Sequence, residues 1–268
     1  MRQRSRRSLA GLVVVALPLV LAGCGSDDDG GTAAAGGGER PTLTVQAAAS
    51  LTGALTACTK DYAPARVRLS FAGSDELAAQ IRQGAGGDLF AAANATLPQE
   101  LATEGRVEAP EEFAGNELVL AVPADGAKVA GLDGLVDDDG LRLAVGAPSV
   151  PVGSYTRKAL DRLPAAQRGA VLDRVRTEEP DVKSVLAKLQ QGVVDAAFVY
   201  RTDVQATKGA VTAIALPQRI RPKVSYEAAV VTGTKEPAAA RALLQDLRSG
   251  ACGEALRDAG FLAPGAAG

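Results

Sequence analysis

The sequence alternates short apolar runs of β-type with segments of helical periodicity over most of its length. The predicted strands are "TLTVQAAA", "VRLSFAG", "DLFAAAN", "ELVLAVP", "LRLAVGAP", "AAFVY", "VTAIALP" and "EAAVVTG". The predicted helices are residues 51–62, 74–83, 154–163, 182–191 and about 236–259. Such alternation is typical of α/β layers, in which helices cover the faces of a sheet. The sequence therefore predicts an α/β fold.

Small, uncharged residues recur where predicted strands lead into predicted helices. "AAAS" places Ser50 before one helix, "FAGS" places Ser74 before another, and "SVPVGS" and "EPDV" introduce two more. A serine at one such position is explained by local capping alone. Four such helix starts together favour a binding site, because a helix start offers unpaired N–H groups and the positive end of the helix dipole to an anion. Ligands of open α/β sheets lie at these strand ends, so the pattern predicts an anion cradle.

The N-terminus has the pattern of an export signal. Four arginines lie among the first seven residues, and the apolar stretch "LAGLVVVALPLVLAG" follows them. The signal, residues 1–23, ends in "LAGC", which resembles a bacterial lipobox, so Cys24 is predicted to be lipidated and to anchor the chain to the outer face of the cell membrane. An ordinary signal with an incidental cysteine is the alternative. Residues 24–40 read as a flexible tether, with folded structure beginning near Pro41.

Two further cysteines, Cys58 and Cys252, permit one internal pairing. Disulfides persist in exported proteins, so a bond between them is predicted. Two buried free thiols are the alternative, because the sequence does not show whether the two Cα atoms approach closely enough.

Composition argues against catalysis and against nucleic-acid binding. Histidine is absent, which excludes Ser-His-Asp and Cys-His catalysis and histidine metal sites. No GxSxG, Walker A or CxxC pattern occurs. Without the four signal arginines the chain has 25 basic and 31 acidic residues, and this negative balance does not suit nucleic acid.

An ordered set of motifs carries a family resemblance. The motifs are "AAASLTGAL", "FAGSDELAAQIRQGAGGDLFAAA", "NELVLAVP", "LAVGAPSVPVGSYTRKAL", "DVKSVLAKLQQGVVDAAFVY" and "DAGF". Over residues 42–262 the chain resembles the molybdate-binding proteins of ABC importers. The resemblance implies a type II periplasmic-binding-protein fold, with two α/β lobes joined by two strand crossovers near "NELVLAVP" and "VSYEAAVV". Lobe one would be residues 41–118 and 228–268, and lobe two residues 119–227.

The family's ligand contacts carry over to five positions of this sequence. The resemblance implies that Ser50 and Ser74 each give a hydroxyl and a backbone N–H, that Val152 and Val182 give only their N–H, and that Tyr200 gives its phenolic hydroxyl. These groups can all donate hydrogen bonds, which suits a fully deprotonated dianion such as molybdate or tungstate. No cofactor and no direct protein ligand to the metal atom are expected.

The resemblance implies a binding protein that performs no chemistry. It would capture molybdate or tungstate outside the membrane as a monomer, close its lobes around the anion and deliver it to an ABC permease. A binding protein for another tetrahedral oxyanion, sulfate above all, is the first alternative. An enzyme on the same two-lobed fold is the remote one.

Five other residues have expected positions outside the ligand contacts. Asp75, directly after Ser74, is expected to point its carboxylate to solvent. Arg201 is expected on the surface. Tyr62, Tyr155 and Tyr226 are expected in packing or hinge positions.

Overall fold

The structure is a computed structural model that describes residues 40–266. The predicted signal peptide, the predicted lipidation site Cys24 and all of the predicted tether except Arg40 lie outside the described residues. Within residues 40–266 no helix combines the length and the apolar character needed to cross a membrane.

Strands and helices alternate along the described chain. The strands are β1 (Thr42–Ala48), β2 (Arg66–Ala72), β3 (Leu89–Ala92), β4 (Glu111–Asn116), β5 (Leu118–Pro123), β6 (Leu143–Gly146), β7 (Val175–Glu179), β8 (Ala196–Tyr200), β9 (Val211–Ala215) and β10 (Val224–Val230). The α-helices are α1 (Thr52–Thr59), α2 (Ser74–Arg82), α3 (Thr96–Thr103), α4 (Leu132–Asp137), α5 (Pro151–Leu160), α6 (Ala165–Asp173), α7 (Val182–Gln190), α8 (Arg201–Gln205), α9 (Pro237–Ser249) and α10 (Ala251–Asp258).

The strands form two mixed sheets, and each sheet with its helices forms one lobe. The sheet of lobe one has the order β2-β1-β3-β10-β4, and the sheet of lobe two has the order β7-β6-β8-β5-β9. In lobe one β1 runs parallel to β2 and β3, while β10 is antiparallel to β3 and β4. In lobe two β6 runs parallel to β7 and β8, while β5 is antiparallel to β8 and β9. The prediction of a two-lobed α/β fold is confirmed.

The chain passes between the sheets twice. The first crossover is a single residue, Glu117, between β4 and β5, and the second is residues 216–223, between β9 and β10. The predicted lobe limits at 118/119 and 227/228 stay a prediction. The second limit falls inside β10, in which residues 224–228 pair with β4 and residues 227–230 pair with β3.

Burial explains which strands the sequence pattern shows. Every residue of β3 and β8 is buried, because each of these strands lies in the middle of its sheet and helices cover the sheet faces. By contrast β7, "VRTEE", lies at the edge of its sheet, and its burial alternates along most of its length. Apolar runs therefore predict the central strands but not β7, nor β4, which begins with two glutamates.

The predicted C-terminal helix 236–259 is two helices that meet at Gly250. The Asp246 carboxylate caps α10 by accepting from the N–H groups of Ala251 (3.2 Å) and Cys252 (3.0 Å). A Cβ at position 250 would lie 1.9 Å from Asp246 Oδ1, so a side chain there would displace the carboxylate that caps α10. Helices α3, α4, α6 and α8 were also not predicted, and α4 and α8, with six and five residues, have too few turns to show a period.

A disulfide joins Cys58 of α1 to Cys252 of α10, with 5.0 Å between the Cα atoms. Both helices pack together in lobe one. The bond therefore ties an early segment of lobe one to the C-terminal segment of the same lobe.

Candidate functional site

The two lobes enclose a cavity at the carboxyl ends of their parallel strands. The space free of protein atoms there is about 230 Å³, part of which is open to solvent, and the centres of water-sized molecules can occupy about 20 Å³ of it. Segments that follow β1, β2 and β3 line it from lobe one, and segments that follow β6 and β7, with the last residue of β8, line it from lobe two. The lining residues are Ala48, Ala49, Ser50, Ala72, Gly73, Ser74, Ala93, Val150, Pro151, Val152, Asp181, Val182 and Tyr200.

All five residues predicted as ligand contacts line this one cavity: Ser50, Ser74, Val152, Val182 and Tyr200. They lie far apart in the sequence and come from both lobes. Their role in binding a ligand stays a prediction that this placement supports.

Both serines line the cavity, and neither caps a helix with its hydroxyl. Ser50 lies in a 3-10 turn, Ala49–Leu51, and its Oγ is 2.9 Å from the hydroxyl of Tyr226. Ser74 is the first residue of α2, and its Oγ accepts the N–H of Ala93 at 3.1 Å. Since Ser74 Oγ already accepts a hydrogen bond from the protein, its own proton is available to a ligand.

Two helices of lobe two begin at the cavity wall. Helix α5 begins at Pro151, and the first N–H groups of a helix have no partner inside it, so Val152 presents a free donor. At the start of α7 the Asp181 carboxylate accepts from the N–H groups of Lys183 (2.7 Å) and Ser184 (3.0 Å). The N–H of Val182 remains for a ligand in that first turn. The dipoles of both helices favour negative charge here.

The Tyr200 hydroxyl reaches the cavity from the end of β8. The side chain is 1% exposed, and its oxygen has no hydrogen-bond partner among the described residues. Burial raises the pKa of Tyr200 well above its ordinary value, so the group keeps its proton and is a donor. The backbone N–H of Tyr200 donates to the buried carboxylate of Asp203 at 3.3 Å, which holds the end of the strand. An unpaired buried hydroxyl is costly unless a ligand satisfies it.

Gly73 brings the lobes into direct contact beside the cavity. A Cβ at this position would lie 2.4 Å from the carbonyl oxygen of Pro180 and 3.5 Å from a methyl group of Val150, both in lobe two. The lobes are therefore closed, and the backbone of one approaches the backbone of the other too closely for any side chain.

One expectation about neighbouring residues is wrong. Asp75 does not point its whole carboxylate to solvent: Oδ1 is buried without a hydrogen-bond partner among residues 40–266. It would lie 2.8 Å from a Cβ at Gly73, so it is buried beside the residue at which the lobes meet. Arg201 is partly exposed, as expected for a surface residue, and its guanidinium pairs with Glu117 of the first crossover.

The three other tyrosines do not line the cavity. Tyr155 of lobe two bridges the lobes, because its hydroxyl donates to the carbonyl of Ser225 (3.4 Å) and accepts the Ser225 N–H (3.2 Å). Tyr62 packs, half-buried, against the core. Tyr226 lies in the core of lobe one, where its ring contacts those of Phe113, Phe261 and Tyr200.

The cavity offers hydrogen-bond donors and almost no free acceptors. Its lining contains no lysine or arginine, and Asp181 is its one carboxylate. Three of the roughly four acceptor sites of that carboxylate are used, because Oδ1 accepts two backbone N–H groups and Oδ2 accepts the Ser184 hydroxyl at 2.8 Å. Oriented amides and hydroxyls stabilise a desolvated anion without ordering long charged side chains. The arrangement suits a small anion that has acceptors only.

Sequence reasoning missed two residues that shape the cavity. Gly73 precedes Ser74 in "FAGS", and its need for close approach depends on Pro180 of the other lobe, which no local pattern shows. Asp181, in "EPDV", was noted only as part of a helix entrance. Its N-cap position before α7 is a local signal that could have identified it.

Two lobes that close on a cavity lined by donors define a binding protein for a small solute. The chain belongs to the bacterial extracellular solute-binding protein family, whose sequence model matches residues 43–262. The resemblance seen in the motifs is therefore confirmed.

Two sequence relatives and one solved structure show which members of the family the chain is similar to. The chain is 33% identical over 259 residues to the molybdate-binding protein ModA of Mycobacterium tuberculosis, covering 95% of this chain and 97% of that protein. It is 30% identical to the putative ABC transporter substrate-binding lipoprotein YvgL of Bacillus subtilis, covering 91% and 94%. The periplasmic molybdate-binding protein of Azotobacter vinelandii shares the fold with a TM-score of 0.73 at 20% identity, covering 83% of this chain and 99% of that one.

Proposed function

We propose that this protein captures molybdate or tungstate outside the cell membrane and delivers it to an ABC import permease. The observation that carries the proposal is the buried, unpaired Tyr200 hydroxyl, which faces a cavity lined by donors from both lobes. The name of the Mycobacterium relative supports the choice of ligand. Ser50 and Ser74 contribute from lobe one, and the other contacts from lobe two, so the closed form alone uses them all.

The protonation state of the ligand supports the same choice. Molybdate, tungstate and sulfate are fully deprotonated at neutral pH, so each of their oxygens accepts and none donates. Hydrogen phosphate keeps a proton, which would need a free acceptor inside the cavity. The one carboxylate in the lining, that of Asp181, already accepts three hydrogen bonds from the protein.

A calorimetric titration with molybdate, tungstate, sulfate and phosphate tests the proposal. Molybdate and tungstate are expected to bind and to raise the melting temperature, because a ligand that binds only the native state stabilises it. Heat with sulfate or phosphate but none with molybdate would contradict the proposed ligand. Sulfate has the same shape and charge as molybdate, so sulfate binding at equal affinity would favour a general receptor for tetrahedral dianions.

Membrane anchoring through Cys24 belongs to the same proposal. The sequence "LAGC" supports it, as does the word lipoprotein in the name of the Bacillus relative. Two acyl chains are enough for stable attachment. The mature protein is expected to carry a diacylglyceryl group on Cys24 and to leave the membrane fraction in the Cys24→Ala variant. Mass spectrometry of the mature N-terminus checks this, and membrane retention without lipid would contradict it.

Closure of the lobes is the signal that we expect the permease to read. The protein would act as a monomer that performs no chemistry and binds no nucleic acid. Contacts from both lobes to one anion shift the equilibrium toward the closed state.

Gly73→Ala is expected to weaken molybdate binding about 5- to 150-fold, the equivalent of about 1–3 kcal/mol of overpacking. The added methyl would meet the Pro180 carbonyl, so the lobes could not close fully. Gly53→Ala is the matched control, because a Cβ there has no atom within 4 Å. Calorimetry of both variants checks the prediction, and an unchanged affinity in Gly73→Ala would show that closure does not need this contact.

A further inference from the structure

A chain of buried side-chain hydrogen bonds runs from the cavity to the first crossover. Ser50 Oγ lies 2.9 Å from the hydroxyl of Tyr226. Asn116, the last residue of β4, places its Nδ2 3.4 Å from the same Tyr226 oxygen and 2.9 Å from Oγ1 of Thr202 in lobe two. All four side chains are buried. A cavity residue is thus connected to the point where the lobes join.

The direction of these hydrogen bonds follows from one backbone contact. Asn116 Oδ1 accepts the N–H of Glu117 at 2.9 Å, which leaves Nδ2 as the group that faces Tyr226 and Thr202. An amide nitrogen only donates, so the Tyr226 oxygen is an acceptor in this bond. Its single proton then goes to its remaining partner, the oxygen of Ser50.

Tyr226 has a proton to give under ordinary conditions. Burial raises the pKa of its hydroxyl well above the usual value, and the nearby Asp203 carboxylate acts in the same direction. Hydrogen bonds to Ser50 and Asn116 act the other way without reversing the shift. The hydroxyl therefore remains a donor.

We infer that Asn116 and Tyr226 are positioning residues that commit the Ser50 hydroxyl to donate into the cavity. Because Ser50 Oγ already accepts from Tyr226, its proton points to the ligand, and the serine cannot easily accept a proton from it. Ser74 is committed in the same way by the Ala93 N–H. This relay, Asn116 to Tyr226 to Ser50, favours fully deprotonated oxyanions over protonated ones. The inference rests on the proposed function and names the residues that set the ligand selectivity of that site.

The simpler interpretation is that Tyr226 only packs. Its ring lies 6.1 Å from that of Phe113, 5.4 Å from Phe261 and 5.9 Å from Tyr200, centroid to centroid. Tyr226→Phe keeps all three ring contacts and removes only the hydroxyl. A packing role predicts unchanged affinity in this variant, whereas the relay predicts a loss that depends on Ser50.

A double-mutant cycle with molybdate separates the two interpretations. Tyr226→Phe is expected to weaken binding about 3- to 10-fold, the loss of one neutral hydrogen bond. In the Ser50→Ala background the same substitution is expected to change the affinity by less than about twofold, because its target is gone. Tyr62→Phe, which removes a half-buried hydroxyl of lobe one away from the cavity, is the control and is expected to bind as the parent does.

Asn116→Asp tests the direction of the relay. A carboxylate only accepts, so Tyr226 would turn its proton toward residue 116, and Ser50 would then donate to Tyr226 instead of to the ligand. Molybdate is expected to bind more weakly while the affinity for phosphate, relative to molybdate, rises by about threefold or more. The control is Asn116→Asp combined with Tyr226→Phe, which has the added charge but no Tyr226 hydroxyl. The difference between the two variants measures the effect of reversing the hydrogen bonds.

The outcomes separate this inference from the proposed function. If the parent protein binds no anion of the panel, both fail. If the parent binds molybdate but Tyr226→Phe has the same effect with and without Ser50, or none, the relay alone is wrong. A variant that merely loses stability would show a lower melting temperature without ligand and no coupling to Ser50.

Discussion

Tyr200→Phe is expected to weaken molybdate binding about 10- to 150-fold, the loss of one charge-assisted hydrogen bond worth about 1.5–3 kcal/mol. The ring keeps its place, because the side chain is buried against Tyr226 with 5.9 Å between the ring centroids. The hydroxyl has no partner within the described protein, so its removal takes nothing from the ligand-free state. Calorimetry of the parent and the variant measures the difference.

The ligand-free stability of Tyr200→Phe provides the control. Because a buried unpaired hydroxyl is unfavourable, the variant without ligand is expected to melt at the same temperature as the parent or higher. The rise in melting temperature on adding molybdate should be smaller for the variant than for the parent. If the variant instead binds within about twofold of the parent and shifts equally, Tyr200 is not a ligand contact and the site assigned to lobe two fails.

Replacing the cysteine pair is expected to lower the free energy of unfolding by about 2–5 kcal/mol. The bond between Cys58 and Cys252 spans 194 residues of sequence, so its loss frees a long loop in the unfolded chain. The variant Cys58→Ser with Cys252→Ser, unfolded in denaturant beside the parent, gives this difference. Molybdate affinity should not change, since neither cysteine lines the cavity.

Thiol labelling decides whether the bond exists in the secreted protein. With Cys24 replaced by serine, the denatured and unreduced chain is expected to contain no reactive thiol, and the reduced chain two. Two reactive thiols before reduction would contradict the bond. In that case the parent and the double variant should also be equally stable.

Central strands of the fold were predictable because buried strands consist almost entirely of apolar residues. "AAFVY" is apolar at every position and forms β8, buried on both faces. "VRTEE" forms β7 at a sheet edge, where alternate side chains are exposed to solvent along most of the strand. Such a strand does not require an apolar run. The break at Gly250 was missed because the apolar period continues through α9 and α10, while the contact that separates them involves the Asp246 carboxylate.

The site was predictable only in part from residues taken alone. Small residues at helix starts, Ser50 among them, indicate an anion cradle, but Tyr200 became a candidate only through the family resemblance. Tyr226 lies 176 positions from Ser50 in the sequence, and the bond between their hydroxyls depends on β10 joining the sheet beside β3. No local pattern encodes such a partner. The position of Asp75 was wrongly predicted because the burial of its Oδ1 beside Gly73 depends on the folded structure and not on a local pattern.

The insertion of lobe two within lobe one has a consequence for the nascent chain. All strands of lobe two come from one continuous stretch, from β5 to β9, so this sheet can form before synthesis ends. In lobe one β10 lies between β3 and β4, and until residues 224–230 emerge both strands have open edges. Unpaired edges invite association with other chains. A chain that stalls before β10 would therefore expose strand edges that β10 covers in the finished protein.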